Sequence, residues 1–324
     1  MRKKGAVYGL LSGITWALDT ILIGAILGAG VFLATPETIF LAPLVSTFFH
    51  DTASSFWVSG YLAIKGEFKQ AITAMSRKSG RIIMLAALLG GPLGMTFYVL
   101  AIKFLGSSYA AAFSAVYPAV GAFFAFLLLK DRLLVKNWLG LALSIVFIIL
   151  LGYSSDDATA SNYLAGLLFI ILCIVSWGLE SVIVAYGMKE DDLPPENALL
   201  LRQLTSTIVY GSVILPLFRG WPLAMEVLTG SVLFSLIFVA LAGTASYLFY
   251  YTAIRDIGPT RAMGLNISYS AWAIFLGFLL FREPLSIQLV FYSVMIIFGS
   301  VLAVAEKDEL SFSGLLNKIN DIRR

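Results

Sequence analysis

Five ionisable residues lie inside long apolar runs of this sequence, where an unpaired charge is costly: Asp19, His50, Asp51, Glu180 and Arg202. At the centre of a membrane helix such a group costs at least about 2.5–3.5 kcal/mol. Each of them therefore requires either a partner that neutralises its charge or a ligand that it binds.

Two of these acids each share a helix face with a tryptophan. Trp16 lies three positions before Asp19, and Trp177 lies three positions before Glu180; residues with this spacing are neighbours on a helix. A face that carries an indole ring and a carboxylate suits a cation. Quaternary ammonium groups have no N–H to donate and are held by aromatic cages, which contribute about 2 kcal/mol or more when desolvated. The pattern predicts a site for an organic cation.

Several tyrosines inside apolar runs are further candidates for this cage. They are Tyr98, Tyr247, Tyr250, Tyr251 and Tyr269. The alternative for these rings, and for both tryptophans, is ordinary packing or a place in the interfacial aromatic belt of a membrane. With 14% aromatic residues in the chain, both interpretations stay open at this point.

Two polar dipeptides interrupt other apolar runs. His50-Asp51 contains the only histidine of the chain, and a neutral imidazole titrates near physiological pH. Arg202-Gln203 places a guanidinium that we expect to meet a carboxylate, either Asp51 or Glu180, because an unpaired buried charge is costly. These four residues are candidates for proton coupling or gating. The alternative is a structural role, through hydrogen bonding at His50-Asp51 and ion pairing at Arg202.

The composition indicates that these residues lie in a membrane. The chain of 324 residues is 59% hydrophobic and 13% charged, whereas soluble domains are roughly 45–50% apolar and about 25% charged. Its mean hydropathy is +0.90. The positive residues are scattered, so the net charge of +3 does not indicate a nucleic-acid partner. The single cysteine, Cys173, excludes an internal disulfide, and we expect no metal and no cofactor.

About 20 apolar residues are needed to cross a bilayer as a helix, and the chain offers ten such segments. They lie at roughly 6–33, 37–64, 82–102, 107–129, 137–153, 161–188, 197–218, 230–254, 259–281 and 285–305. The first is predicted to be a retained span, because its apolar stretch is too long for a signal peptide.

The distribution of Lys and Arg predicts that both termini are cytoplasmic. With the N-terminus inside, only Lys103, Arg219 and Arg282 fall in loops on the outer side, in agreement with the positive-inside rule. Apolar residues recur at helical spacing in the tail, 306–324. This segment is predicted to be either an amphipathic helix at the inner membrane surface or a solvated tail.

Glycine spacing indicates close helix packing at two places. Gly24 with Gly28, and Gly90 with Gly94, have the four-residue spacing that lets helices approach each other. Pro92 is predicted to interrupt its span and to free backbone carbonyl groups toward a cavity.

The two halves of the chain repeat with a shift of about 152 positions. The aligned groups are Ala101-Ile102-Lys103 with Ala253-Ile254-Arg255, Tyr98 with Tyr250, Tyr117 with Tyr269, and Lys130-Asp131-Arg132-Leu133 with Arg282-Glu283-Pro284-Leu285. Five spans per half is an odd number, so the second copy is inverted, as in alternating-access transporters. We therefore predict an all-α integral membrane protein of ten transmembrane helices, with repeats at 1–155 and 156–305 and a tail at 306–324.

These features resemble the drug/metabolite transporter superfamily, in its EamA-type branch, and within it bacterial choline transporters. The motifs that carry the resemblance are Gly9-Leu10-Leu11-Ser12-Gly13-Ile14 before Trp16, His50-Asp51, Gly91-Pro92-Leu93-Gly94-Met95, Gly106-Ser107-Ser108, Tyr117-Pro118-Ala119-Val120, Trp177-Gly178 with Glu180-Ser181-Val182, Leu199-Leu200 with Arg202-Gln203, and Gly264-Leu265-Asn266 with Ser268-Tyr269.

The resemblance implies choline uptake across a bacterial plasma membrane. It adds Asn266 to the candidate substrate-binding residues, and it agrees with a cation cage that includes Trp16, Trp177, Glu180 and Tyr269. Asp19 departs from the family pattern, which has a small residue at this position. The exact quaternary amine is therefore not implied by the resemblance.

Two other functions fit the sequence less well. An exporter of amino acids or drug-like metabolites would use the same fold and an aromatic cavity, with the carboxylates as proton carriers. An intramembrane enzyme is disfavoured, because the sequence contains no Gly-x-Ser-x-Gly, His-Glu-x-x-His or phosphate-loop motif. The expected partners are a small cationic substrate and the lipid bilayer; the oligomeric state is left open.

Overall fold

A computed structural model describes residues 2–105, 110, 113–114, 116–130, 134–152, 163–282 and 286–304. The predicted interfacial tail at 306–324 lies outside the described residues, as do the motif residues 106–108, 131–133 and 283–285. The regular secondary structure in the described ranges is helical, which confirms the predicted all-α class.

The first half contains seven described α-helices. They are α1 (Arg2–Leu27), α2 (Pro36–Ile64), α3 (Phe68–Ala74), α4 (Lys78–Leu88), α5 (Gly94–Leu105), α6 (Tyr117–Leu129) and α7 (Val135–Gly152). A short 3₁₀ turn, Gly30–Leu33, joins α1 to α2, and a π-helical turn, Leu89–Leu93, joins α4 to α5 without interrupting the helical path. Pro92 lies in this π turn, and the helix runs on through it from Lys78 to Leu105. The predicted interruption of the span is therefore wrong: the proline distorts the helix locally and does not end it.

The second half contains eight described α-helices. They are α8 (Tyr163–Glu190), α9 (Pro195–Val209), α10 (Leu215–Leu217), α11 (Trp221–Thr229), α12 (Val232–Ile257), α13 (Pro259–Asn266), α14 (Tyr269–Phe281) and α15 (Ile287–Val304). A second π-helical turn, Tyr210–Ile214, connects α9 to α10. π-Helical turns often occur at functional sites. The first of these turns contributes Gly90 and Gly91 to the cavities described below, and the second follows the helix that carries Arg202.

Six continuous helical stretches are long and apolar enough to cross a membrane. They are Lys3–Leu27, Lys78–Leu105, Tyr163–Glu190, Pro195–Leu217, Val232–Ile257 and Pro259–Phe281, and three shorter apolar helices accompany them at Tyr117–Leu129, Val135–Leu150 and Ile287–Ala303. The described structure is thus that of a multi-pass membrane protein.

The ends of two helices agree with the sequence repeat. Lys130 ends α6 and Arg282 ends α14, and both adopt the left-handed conformation, with φ of 56° and 57°. The repeat aligns these two residues. Because a non-glycine residue seldom adopts a positive φ, the same termination at both positions is a specific likeness between the halves.

Small residues bring α7 and α15 into close contact. A Cβ added to Gly299 would lie 2.5 Å from Ser144 Oγ and 2.8 Å from the carbonyl oxygen of Gly140. Asn137 donates to the carbonyl oxygen of Leu302 at 3.3 Å. Backbones approach this closely only where side chains are absent or small.

The predicted role of glycine spacing holds at one place and is wrong at another. Gly90 and Gly94 lie against the side chains of Glu180 and Trp177, so α8 packs closely on the π turn. A Cβ added to Gly24 would meet no atom within 4 Å. Among the residues that the structure describes, none packs against Gly24, because the spacing of two glycines specifies a smooth helix surface but not the neighbour that covers it.

Candidate functional site

A small cavity of ≈ 80 Å³ lies between helices of both halves. Its lining residues are Trp16, Gly90, Met95, Tyr117, Trp177, Glu180, Ser181, Ser246, Tyr247, Tyr250, Asn266 and Tyr269. Six of these are aromatic and one is a carboxylate, so the wall is mostly apolar with few polar groups, as ligand sites commonly are. We call this space the inner cavity.

The aromatic rings of the inner cavity form two groups around the tryptophans. The ring of Trp16 lies 5.1 Å from that of Tyr247, nearly perpendicular at 86°, and 6.5 Å from that of Tyr269. The ring of Trp177 lies 6.0 Å from that of Tyr117, also at 86°. Edge-to-face contacts of this kind fix ring orientation, so the ring faces have defined directions.

Glu180 supplies the carboxylate of the inner cavity and is only 8% exposed. Its Oε1 accepts hydrogen bonds from Arg202 Nε at 3.3 Å and from the hydroxyl of Tyr251 at 3.4 Å. Trp177, one turn earlier on α8, donates its indole N–H to the carbonyl oxygen of Gly90 at 3.1 Å. The carbonyl group of Gly90, in the π turn, therefore fixes the orientation of the Trp177 indole.

A second cavity, of ≈ 230 Å³, adjoins the first and shares Trp16, Trp177, Tyr247 and Tyr269 with it. We call it the outer vestibule. It extends past Thr20 and Ile23 to Leu27 and Pro43, at the end of α1 and near the start of α2. His50, Asp51, Asp19, Tyr98 and Arg202 also line it.

His50 lies between two carboxylates. Its Nε2 is 3.0 Å from Asp19 Oδ1, and its Nδ1 is 3.4 Å from Asp51 Oδ1. An imidazolium would donate to both acids, and a neutral imidazole to one. Asp19 thus lies with His50 in the outer vestibule, whereas Glu180 lies in the inner cavity.

Arg202 is buried and contacts acids from both halves of the chain. Its Nη1 lies 3.3 Å from both carboxylate oxygens of Asp51, and its Nε lies 3.3 Å from Glu180 Oε1. The sequence predicted that Arg202 meets Asp51 or Glu180, and the structure confirms the pairing with both. Nη2 also donates to the hydroxyl of Tyr247 at 2.8 Å.

Neutral side chains complete this polar cluster. Gln203 accepts from Arg202 Nη1 at 2.7 Å and donates to Ser54 at 2.9 Å, and the hydroxyl of Ser206 donates to Asp51. Gln203 is fully buried and lines neither cavity. It joins α9 to α2 through hydrogen bonds.

The remaining predicted residues are divided between the two cavities. Tyr250 and Asn266 line the inner cavity, and Tyr98 lines the outer vestibule beside Trp177, with ring centroids 5.3 Å apart. Tyr251 lines neither cavity, but it bonds Glu180.

Tyr117 lines the inner cavity and was not among the predicted site residues. Its hydroxyl donates to Asn266 Oδ1 at 3.2 Å, and the Asn266 amide donates to Ser12 at 3.1 Å. The signal was present, because the sequence repeat aligns Tyr117 with Tyr269. Ser181, which shares a hydrogen bond of 2.8 Å with Tyr250, was also missed; a serine among apolar residues carries no distinctive signal.

Within the described ranges, no group of three or more His, Cys, Asp or Glu residues is arranged to hold a metal ion. Aromatic faces, one carboxylate and neutral hydrogen-bonding groups surround the inner cavity.

Known proteins are similar to this chain over almost its whole length. The model of the EamA-like transporter family matches residues 3–153 and again 164–305. Protein LicB of Haemophilus influenzae is 30% identical over 312 residues, which are 94% of this chain and 99% of that protein. A solved structure described only as a crystal structure of a protein shares the fold, with a TM-score of 0.67 and 18% identity over 94% of this chain and 97% of that one. The chain belongs to the EamA-like transporter family.

Proposed function

We propose that the protein is a membrane transporter that imports choline, or a closely related quaternary ammonium compound, by alternating access. The substrate lies in the inner cavity, with its ammonium group among the rings of Trp16, Trp177, Tyr247 and Tyr269. Glu180 provides the opposite charge. Tyr250 and Asn266 complete the lining, and Tyr98 and Asp19 act from the outer vestibule.

The charge balance around Arg202 carries this proposal. Asp51 and Glu180 both contact Arg202, and His50 lies between Asp51 and Asp19. With the three acids ionised, the formal sum of these groups is one negative charge if the imidazole is protonated and two if it is neutral. A buried net charge is costly. A monovalent cation that enters between the aromatic rings offsets one negative charge, and it gains cation–π attraction from each ring that it contacts.

The resemblance described under Sequence analysis favours choline among the quaternary amines. The membrane potential favours its inward movement. One positive charge gains about 2.3 kcal/mol per 100 mV, which corresponds to about fifty-fold accumulation without any other ion. Proton coupling through His50, Asp51, Arg202 and Gln203 is therefore an addition to uptake rather than a requirement for it.

The proposed architecture is ten transmembrane helices in two inverted repeats of five, at 1–155 and 156–305. The two separate matches to the family model, at 3–153 and 164–305, support this division. We place the protein in a bacterial plasma membrane with both termini in the cytoplasm. The outer vestibule, at the far end of α1 from the N-terminus, then opens to the outside.

One observation favours a second function, export of amino acids or similar zwitterions. The guanidinium of Arg202 lines the outer vestibule, and arginine is well suited to bind a carboxylate. A zwitterion would place its ammonium group near Glu180 and its carboxylate near Arg202. Competition between choline and amino acids for binding separates the two functions.

The proposal is tested by calorimetric titration and thermal shift of the detergent-purified protein. Choline is compared with betaine, carnitine, ethanolamine and an amino acid. We expect saturable stabilisation by choline that is lost in Trp16→Ala and in Trp177→Ala. Trp138→Ala is the control, since Trp138 on α7 is 41% exposed and lines neither cavity. A response to amino acids with none to any quaternary amine would replace the choline proposal with the exporter.

A further inference from the structure

The guanidinium of Arg202 already contacts two of the groups that an organic cation in the inner cavity would use. Its guanidinium carbon lies 4.2 Å from the centroid of the Tyr247 ring, and its Nη2 donates to the hydroxyl of the same residue at 2.8 Å. Its Nε contacts Glu180 at 3.3 Å. Arg202 thus uses Glu180, the one carboxylate among the described residues that line the inner cavity, together with the Tyr247 ring, which lines both cavities.

A cargo cation and Arg202 compete for these groups. Two positive charges close together in a medium of low dielectric repel each other, and one carboxylate neutralises only one of them. The face of Tyr247 that carries the guanidinium is also closed to another cation. A second cation can therefore use Glu180 and this ring face fully only if Arg202 withdraws.

Arg202 has another acid within reach. Its Nη1 lies 3.3 Å from both oxygens of Asp51, and the same nitrogen donates to Gln203 Oε1 at 2.7 Å. A guanidinium that leaves Glu180 consequently keeps an ion pair and a hydrogen bond. This lowers the cost of withdrawal, since a buried charge without a partner is strongly unfavourable.

We propose that Arg202 is a built-in competitor of the cargo. In the empty site it neutralises Glu180 and covers Tyr247; an entering organic cation replaces it there, and Arg202 stays bound to Asp51 alone. The inference rests on the proposed function insofar as the cargo is a cation. Because Asp51 lies on α2 and Arg202 on α9, cargo binding then strengthens a contact between the two halves of the chain.

The sharpest test removes one hydroxyl. Tyr247→Phe keeps the ring but deletes the acceptor that holds Arg202 on the Glu180 side. The probe is tetramethylammonium, which has no hydroxyl group and no N–H, so it cannot hydrogen-bond to Tyr247 directly. We expect it to bind the variant about tenfold more tightly than the wild type, because the competitor has lost a charge-assisted hydrogen bond. Calorimetric titration gives both dissociation constants.

A matched control keeps this comparison specific. Tyr292→Phe also deletes a tyrosine hydroxyl, one that accepts from Gln288 on α15 and lines neither cavity. It should leave the dissociation constant unchanged. Unchanged or weaker binding in Tyr247→Phe, with the control unaffected, would overturn the competitor proposal and assign the hydroxyl a direct supporting role.

A second variant tests whether a free cation can bind where the guanidinium of Arg202 lies in the wild type. Asp51→Asn with Arg202→Gln removes one negative and one positive charge, so the local sum is preserved while Glu180 loses its competitor. We expect low-millimolar guanidinium chloride to raise the melting temperature of the double variant saturably, and sodium chloride at equal ionic strength to have no such effect. In the wild type, Arg202 occupies this position, so its melting temperature should not rise with guanidinium in this way.

The two probes separate this inference from the choline proposal. If no quaternary amine binds the wild type or Tyr247→Phe, choline import is wrong and the guanidinium experiment alone decides about Arg202. Saturable stabilisation limited to the double variant then supports the competitor. Equal responses of wild type and double variant, or none in a double variant that still gives a cooperative melt, overturn it.

Discussion

The carboxylate of Glu180 lies directly against the Cα of Gly90, with no space for a Cβ between them. Glu180 belongs to α8 and Gly90 to the π-helical turn between α4 and α5. The same glycine accepts the indole N–H of Trp177 at 3.1 Å. One residue without a side chain thus positions both the acid and one ring of the proposed cation site.

Gly90→Ala is expected to weaken choline binding by about tenfold or more. The added methyl group displaces the carboxylate of Glu180, and inserting atoms into a packed site costs about 1–3 kcal/mol. Calorimetric titration measures the dissociation constant. Gly60→Ala is the control, because Gly60 lies in α2 with no atom within 4 Å of an added Cβ. Equal affinity in both variants would mean that the position of Glu180 does not matter for binding.

Helical spacing predicts which residues share a face, and this part of the site followed from the sequence. Trp177 and Glu180 lie on the cavity side of α8. Arg202 forms ion pairs with Asp51 and Glu180, as expected from the cost of burying an unpaired charge. The sequence did not predict which other helices contact each of these faces. Gly90 and Tyr117 come from helices distant in the chain, and a single sequence does not state which helices are adjacent.

Asp19 shows the same limit more clearly. Asp19 and Glu180 each follow a tryptophan by three positions, so the sequence predicted two equivalent acids. In the structure α2 brings His50 to Asp19 at 3.0 Å, while α9 brings Arg202 to Glu180. Equivalent positions thus have different partners, because a histidine occurs in one half and an arginine in the other.

Trp177→Phe is expected to weaken choline binding about tenfold more than Trp16→Phe does. Both substitutions shrink an aromatic ring of the inner cavity. Only Trp177→Phe also leaves the carbonyl oxygen of Gly90 without its indole donor, which costs about 1–3 kcal/mol for a buried group. In the part of the chain that the structure describes, Trp16 has ring contacts with Tyr247 and Tyr269 but no indole hydrogen bond. Titrations of the two variants, compared with the wild type, measure the difference; equal losses would contradict it.

The two acids of the Trp-x-x-acid pattern should respond differently to neutralisation. Glu180→Gln removes the carboxylate of the inner cavity, and we expect choline affinity to fall about tenfold or more. Asp19→Asn acts in the outer vestibule, where His50 already holds the carboxylate, so we expect a change of less than about threefold. Choline titration at one fixed pH tests this. An equal loss in both variants would place Asp19 in direct contact with the substrate.

Two ion pairs between the halves should differ in their contribution to stability. Asp51 is 2% exposed and accepts from Arg202 and Ser206, so Asp51→Asn leaves a buried guanidinium under-compensated and should cost about 3–5 kcal/mol. The pair of Lys65 and Glu196, at 2.9 Å, has a lysine side chain that is 36% exposed.

Lys65→Ala should therefore lower the free energy of unfolding by at most about 1 kcal/mol, and less at high salt. Thermal melts of both variants in detergent, at low and high sodium chloride, provide the comparison. A large salt-independent loss in Lys65→Ala, or a negligible one in Asp51→Asn, would reverse the assignment of which pair holds the halves together. The expected order follows from burial: water and salt screen the exposed pair, whereas Arg202 is separated from both.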